Sequence, residues 1–251
     1  MSGRVGSITT DIVSDGLVFN MDAANRASTI PSTSTLKTFN TVDTSISGSI
    51  ITDGQVDAST IIPSFAFDGT DGYINTNDTF LPDFVSAFCW VKSTNSSWPR
   101  SLILRQDIPY SRNPFVLHWN GGSVYASVRL QSTSDATNGV ASATSTYSGV
   151  NNGAWRYVGL TFDGPSLKLY VDAELEDTKL TSSVTNAVNG PLWPQSNINY
   201  SVDTKTIKIG ATNNVSSFFN GNIGSVHIYN RALSATEVLH NYNALKGRFG
   251  L

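Results

Sequence analysis

The chain has 251 residues, of which 14% are charged, with a net charge of −3 and a single cysteine. No cluster of Lys and Arg supplies the basic surface that nucleic-acid binding needs, one cysteine excludes an internal disulfide, and no apolar run approaches the ~20 residues that span a bilayer. Ser, Thr, Asn and Gly are abundant, a composition that suits sheets and turns rather than long solvated helices.

Residues 1–15 read as an N-terminal extension or docking arm, with a short strand candidate at Ile8 to Val13. Arg4 is followed by Gly6, Ser7, Thr9, Thr10 and Asp11 rather than by the apolar core of a signal peptide, which implies synthesis in the cytosol. A strand at 16–22 leads into Asp22-Ala23-Ala24-Asn25 and a polar stretch to about residue 60. Strands follow near 61–67, 72–76 and 84–92, separated by Asp-Gly and Pro-Asp turn signals. Cys89 lies in the apolar run Phe88-Cys89-Trp90-Val91 and reads as a buried, inert thiol. Runs at 101–106, 115–119, 122–131 and 139–147 alternate, with Asn120-Gly121-Gly122 as a tight turn.

The cleanest hairpin joins 154–163 to 166–173 through Asp163-Gly164-Pro165-Ser166. Residues 176–203 look loop-like, with Pro191 and Pro194 around Leu192-Trp193. Strands at 205–210 and 218–230 complete the pattern. In the last of these, Ile223, Ser225, His227 and Tyr229 alternate with Gly224, Val226 and Ile228, the period of a strand. Ser234 then starts a helix as an N-cap with Glu237 three residues on, a capping box, while Leu233 and Val238 can staple the first turn. The helix ends near Gly247. Many short strands with regular turns imply a two-sheet sandwich, read as one domain over residues 16–251.

Four segments carry a resemblance: Gly16 to Asn25, Phe67 to Ile74, Trp155 to Gly164 continuing through Leu169 to Asp172, and Gly221 to Leu245. In this order, over residues 16–245, they resemble the laminin-G-like, concanavalin A-like lectin–glucanase jelly-roll domains of the type found in bacteriophage virion structural proteins. The resemblance implies an all-β, two-sheet antiparallel jelly-roll sandwich with one short C-terminal helix.

Relatives with this sandwich include glucanases, which need two carboxylates about 5 Å apart across a sugar cleft. Strand alternation would place Asp172, Glu174 and Glu176 on one face, but the spacing lacks the Glu-x-Asp-x-x-Glu of the related glucanases, and Glu237 is accounted for as a helix cap. A solvated hairpin tip is the favoured reading. His118, His227 and His240 have no Ser or Cys partner motif, so no catalytic residue is assigned and no enzyme activity is expected.

Asp68 and Asp71 could offer hard oxygen ligands to Ca²⁺ at a sheet rim, a site some laminin-G-like domains carry, or could simply supply a turn; no cofactor is otherwise expected. Loop or turn aromatics Trp98, Tyr110, Trp119 and Trp193 are candidates for stacking on sugar, or for an interface with another subunit. Because the family brings the terminal strands side by side, a salt bridge between Asp22 and Arg231 is expected to latch them.

The functional expectation is a non-enzymatic bacteriophage virion structural protein, a capsid decoration or a tail or fibre subunit. Its partners would be other virion subunits in a larger assembly and host surface glycans, with no nucleic acid and no membrane insertion. A free carbohydrate-binding lectin or adhesion module is the alternative.

Overall fold

The computed structural model describes residues 12–24, 35–37, 45–47, 62, 64–76, 82–96, 100–107, 112–132, 139–185, 187–192, 206–212 and 217–251. In chain order the strands are β1 (Leu17–Asp22), β2 (Thr35–Lys37), β3 (Ser45–Ser47), β4 (Phe65–Asp68), β5 (Ile74–Asn75), β6 (Val85–Lys92), β7 (Arg100–Asp107) and β8 (Arg112–Asn120). They continue with β9 (Ser123–Ser132), β10 (Val140–Thr144), β11 (Arg156–Phe162), β12 (Ser166–Val171), β13 (Glu174–Leu180), β14 (Ala187–Leu192), β15 (Ile207–Ile209) and β16 (Asn220–Tyr229). Helix α1 (Ala235–Lys246) follows, and a 3₁₀ turn at Gly247–Phe249 ends the chain.

Two antiparallel sheets stack face to face. The first has the order β1-β16-β6-β11-β12-β13, with β4 also pairing β16; the second runs β10-β9-β8-β7-β15-β5, with β14 on β9. The last strand therefore sits between β1 and β6, beside the N-terminal strand as the family resemblance implies, but its expected alternation holds only from Ser225 on. The register shifts between Ile223 and Ser225, so Ile223 joins Val226 and Ile228 in the core between the sheets while Gly224 faces Phe249. One apolar cluster between the sheets joins Cys89, Val158, Leu160, Val226 and Ile228 of the first to Ile103, Leu117, Val128 and Ile209 of the second. Side chains of this size contribute about 1.5–3 kcal/mol each when fully buried.

The first sheet is apolar on its other face too, which explains why β6 and β11 are buried almost throughout. Phe88, Trp90, Tyr157, Tyr170 and Tyr229 form a second cluster with Trp155 and with Leu233, Val238, Leu245 and Phe249 of the C-terminal segment. The Trp90 ring stacks on Phe249 (centroids 4.3 Å apart) and on Tyr242 (5.6 Å). Gly224 makes this seat: a Cβ there would collide with the Phe249 ring. Gly159 does the same for Phe88. The helix start is the expected one, with Ser234 Oγ accepting from Glu237 N and the Glu237 carboxylate accepting from Ser234 N. Ile12 and Val13 pack against the same cluster; the rest of the strand candidate, from Ile8 to Asp11, lies outside the described residues.

Two expectations need correction. The stretch 176–203, read as loop-like, contains most of β13 and all of β14. The charged run Glu174-Leu175-Glu176-Asp177 conceals β13 because it is the outermost strand of its sheet and faces water, where Glu and Asp cost little. The latch is also differently wired. β1 and β16 are antiparallel, with Leu17 opposite Tyr229 and Asp22 opposite Ser225, so the C-terminal ends of the two strands lie at opposite ends of the ladder. Asp22 instead pairs with Arg248 (2.7 Å). Arg231 pairs with Asp15 (2.9 Å) and in a two-pronged contact with Glu237 (2.5 and 3.0 Å).

Candidate functional site

One end of the sandwich gathers the connections β4–β5, β6–β7, β8–β9, β10–β11, β12–β13 and β15–β16, and the described parts of these loops are tied to one another. Gly122 O accepts from Gly149 N (2.7 Å) and Val150 N (3.2 Å), and Ser93 O accepts from Gly153 N (3.1 Å). The Ser93 hydroxyl donates to Asn220 O (2.5 Å), and Asn220 Nδ2 donates to Asp68 O (2.9 Å). Under these loops, Phe219 lies edge-on between Phe67 (centroids 6.0 Å apart) and Trp119 (6.2 Å). The described parts of these loops thus rest on a common aromatic footing at the end of the scaffold.

Of the residues singled out in the sequence, Trp119 has a different role from the one expected. It is 0% exposed and donates its Nε1–H to Asn95 O (3.2 Å), so no sugar can reach its ring. On β8 its side chain follows Phe115 and Leu117 into the core, and nearness to the turn at Gly121 made it look like a loop residue. Asp68 makes the turn that was its alternative reading: Oδ1 accepts from Thr70 N (2.7 Å) and from Asp71 N (3.4 Å). Among the described residues no group of three or more His, Cys, Asp or Glu side chains converges to hold a metal ion. Trp98, Tyr110 and Trp193 lie outside the described residues.

Three of the acidic side chains, Asp172, Glu176 and Asp177, are taken up by local hydrogen bonds. Asp172 and Ala173 both have positive φ (51° and 70°) and form the two-residue turn between β12 and β13, the geometry of a type I′ hairpin. Asp172 accepts from Tyr157 N (2.9 Å) and pairs with Arg156 (2.7 Å). The register shifts across Leu169 and Tyr170, which face Asp177 and Leu175, so Glu176 is the extra residue of a bulge and simple alternation from Asp172 through Glu176 fails. The Glu176 carboxylate accepts from Thr146 Oγ1 (2.7 Å) and Tyr147 N (2.8 Å), and Asp177 accepts from Thr144 N (3.1 Å). Glu176 and Asp177 thus join the edge of the first sheet to the chain around β10.

Two histidines are held neutral by burial. His118, on the outer face of the second sheet, meets Ser101 Oγ through Nε2 (3.1 Å), and its pKa is lowered to about 4. His227 is 1% exposed, and its pKa is likewise lowered to about 4 by burial. Burial pushes the Cys89 thiol up, which keeps it protonated and inert.

Sequence alone did not reveal an aromatic pair at the loop-bearing end. Tyr73, just before β5, and Phe218, just before β16, lie side by side with centroids 6.4 Å apart at 36°. Both are partly exposed. The Lys208 ammonium sits 4.9 Å from the Tyr73 ring centre, and Asp71 and Asn220 are exposed nearby in sequence. Two ring faces beside hydrogen-bonding side chains can hold the C–H face of a pyranose or an apolar protein side chain. Distance in sequence hid the pair, since the two rings are 145 positions apart.

Known proteins give the fold a context. A laminin-G model of the concanavalin A-like lectin/glucanases superfamily matches residues 68–239. No sequence among the curated proteins matches this chain. Among solved structures, the chain resembles the receptor binding domain of botulinum neurotoxin D, with a TM-score of 0.62 and 14% identity over 94% of this chain and 53% of that one. It also resembles the serotype D domain solved in complex with N-acetylneuraminic acid (TM-score 0.62, 16% identity, 91% and 51%). A third is the binding domain of Paraclostridial Mosquitocidal Protein 1 (TM-score 0.60, 13% identity, 91% and 52%). The chain spans about half the length of these structures. At such identities the likeness concerns the fold, whereas the family match covers most of the sequence: the chain belongs to the concanavalin A-like lectin/glucanases superfamily.

Proposed function

We propose that this chain is a non-enzymatic recognition domain that binds a saccharide, or a receptor bearing one, through the loop-carrying end of its sandwich. The observation that carries the reading is the partly exposed Tyr73–Phe218 pair with Lys208 beside it, at the end of the sandwich where Phe219 packs on Phe67 and Trp119. Of the acidic side chains weighed for hydrolysis, Asp172 and Glu176 are occupied as turn and strand-edge acceptors, and Glu174 is exposed on the edge strand. Structural relatives described as receptor binding domains support the same reading, among them the one in complex with N-acetylneuraminic acid. Fold alone does not decide function in so widely used a sandwich, so the weight rests on the aromatic pair.

The setting we propose is a bacteriophage virion, with the domain as a capsid decoration or a tail or fibre subunit whose partners are other virion proteins and host surface glycans. The resemblance of the four ordered segments supports that placement. Ca²⁺ has no part in the proposal, because the turn at Asp68 closes on backbone N–H groups.

A glycan array with the purified protein tests the binding reading. Saccharide binding that is lost in Tyr73→Ala and in Phe218→Ala supports it. An array with no bound saccharide, or binding that survives both substitutions, overturns it. Mass spectrometry of purified virions tests the setting, and absence of the chain from the particles would end it.

A further inference from the structure

The outer face of the β1–β16 pair carries a knot of polar groups at the place where the last turn docks. Asn20 lies directly opposite His227, and Asp22 opposite Ser225. On the other side of β16, Phe88 is opposite His227 and Trp90 opposite Ser225. Arg248 reaches in from the C-terminal 3₁₀ turn to pair with Asp22 (2.7 Å) and touches Gly224 O (3.4 Å). Ser225 and His227 are 0% and 1% exposed. Among the described residues, Asn20 Oδ1, Ser225 Oγ, His227 Nδ1 and Arg248 Nε are buried with no hydrogen-bond partner. The C-terminal segment is tied to this face by the Asp22–Arg248 pair and by Asn241 Nδ2, which donates to the Tyr229 hydroxyl (2.9 Å).

The charged groups acting on His227 come from two elements: Asp22 on β1 and Arg248 on the 3₁₀ turn. β6 contributes Phe88 and Trp90. α1 turns Val238, Asn241 and Leu245 inward, and Tyr229, next but one on β16, stays neutral, with its pKa raised to about 12. A proton on His227 would place a second cation beside Arg248, where Asp22 is the carboxylate that acts on it among the described residues. Imidazolium and guanidinium would then compete for Asp22, and a buried charge left without a partner is costly.

We propose that His227 and the Asp22–Arg248 pair form an acid-operated clasp, in which protonation of His227 releases the C-terminal segment from the aromatic outer face of the first sheet. The segment that leaves is α1 with the 3₁₀ turn, and the surface uncovered is that of Trp90, Tyr157 and Tyr229. The sandwich core between the sheets contributes nothing to this tie and stays closed. The proposal is independent of the saccharide reading.

Hydrogen exchange of the full chain between pH 7 and pH 4, corrected for the intrinsic pH dependence, tests it. With His227 at about 4 when folded against an ordinary 6.5, amides of α1 should open on the order of a hundredfold more often at pH 4 than at pH 7. Amides of β11 and β12, which exchange through global unfolding, weaken with acid as well but should stay far better protected than those of α1 at pH 4. In His227→Gln the pH response of α1 should vanish, whereas Asp22→Asn should open α1 at every pH. Should His227→Gln fail to fold, NMR titration of the wild-type imidazole decides the question in its place, with a pKa far below 6.5 expected. The proposal is overturned if α1 responds equally in wild type and His227→Gln, if α1 and β11 open together, or if His227 titrates near 6.5.

Discussion

Val13 donates its backbone N–H to Asn241 Oδ1 at 2.8 Å, across 228 positions of sequence. The Nδ2 of the same asparagine donates to the Tyr229 hydroxyl at 2.9 Å. Asn241 is 0% exposed, so one amide joins the residues before β1 to the end of β16 and to α1. Replacing it removes one buried and one part-buried bond and leaves a backbone donor unpaired. Asn241→Leu is expected to cost about 2–3 kcal/mol, measured by chemical denaturation. A cost below about 0.5 kcal/mol would show that this contact holds nothing in place.

The rewired latch makes a contrast between pairs. Asp22 and Arg248 are both mostly buried, with side chains 17% and 14% exposed, where hydrogen bonds between charged groups contribute about 1.5–3 kcal/mol. A double-mutant cycle on Asp22 and Arg248 should return a coupling of about 1–2 kcal/mol. The same cycle on Asp22 and Arg231 should return a value near zero. Reversed results would restore the latch expected from sequence.

Ala173 has φ of 70° in the β12–β13 turn, a conformation that costs a residue with a Cβ about 1–2 kcal/mol. Ala173→Gly should therefore stabilise the domain by about 0.5–1 kcal/mol after the larger chain entropy of glycine is subtracted. A lower melting temperature in the glycine variant would contradict the turn geometry.

Acid should weaken the fold through its histidines before its carboxylates. His118 and His227 have folded pKa values of about 4, below the ordinary 6.5, so between these values the unfolded chain binds protons that the folded one does not. Stability is then full above pH 6.5 and falls as pH drops toward 4, by about 1.4 kcal/mol per unit for each histidine at most. Glu237 behaves as a carboxylate depressed to about 2 by Arg231, and its contribution is present above pH 4.5 and fades only as pH approaches 2. Melting temperatures from pH 7.5 to 3 should show the histidine slope, and His118→Gln should flatten part of it. A flat profile down to pH 4 would contradict the burial of both rings.

Chelation should be silent. Asp68 closes its turn on Thr70 N and Asp71 N, so EDTA is expected to leave the melting temperature unchanged, and added Ca²⁺ should not raise it. A Ca²⁺-dependent rise that Asp68→Ala abolishes would revive the metal reading.

Much of the fold was legible because local rules and global packing agree in it. The alternation of β16 and the Ser234–Glu237 box each name their structure from a few adjacent residues. What escaped depended on partners distant in sequence. β13 looked like a solvated tip, since an edge strand needs only one neighbour and tolerates charge. Asp22 and Arg231 do not pair because adjacent antiparallel strands put their C-terminal ends at opposite ends of the ladder, a direction that adjacency in the family does not convey. Tyr73 and Phe218 come together only when β5 and β16 meet the same rim, and each alone looks like a strand-flanking aromatic.

The placement of β16 also governs how this protein comes into being. β6 has β16 on one side and β11 on the other, so while the ribosome is still translating residues before 220 the nascent chain carries a long unfilled slot lined by Phe88 and Trp90. Only when residue 229 has emerged can the slot fill and β1 find its neighbour. Such late, long-range closure is slow and exposes sticky edges, so truncation ahead of this strand should yield aggregates rather than a smaller domain.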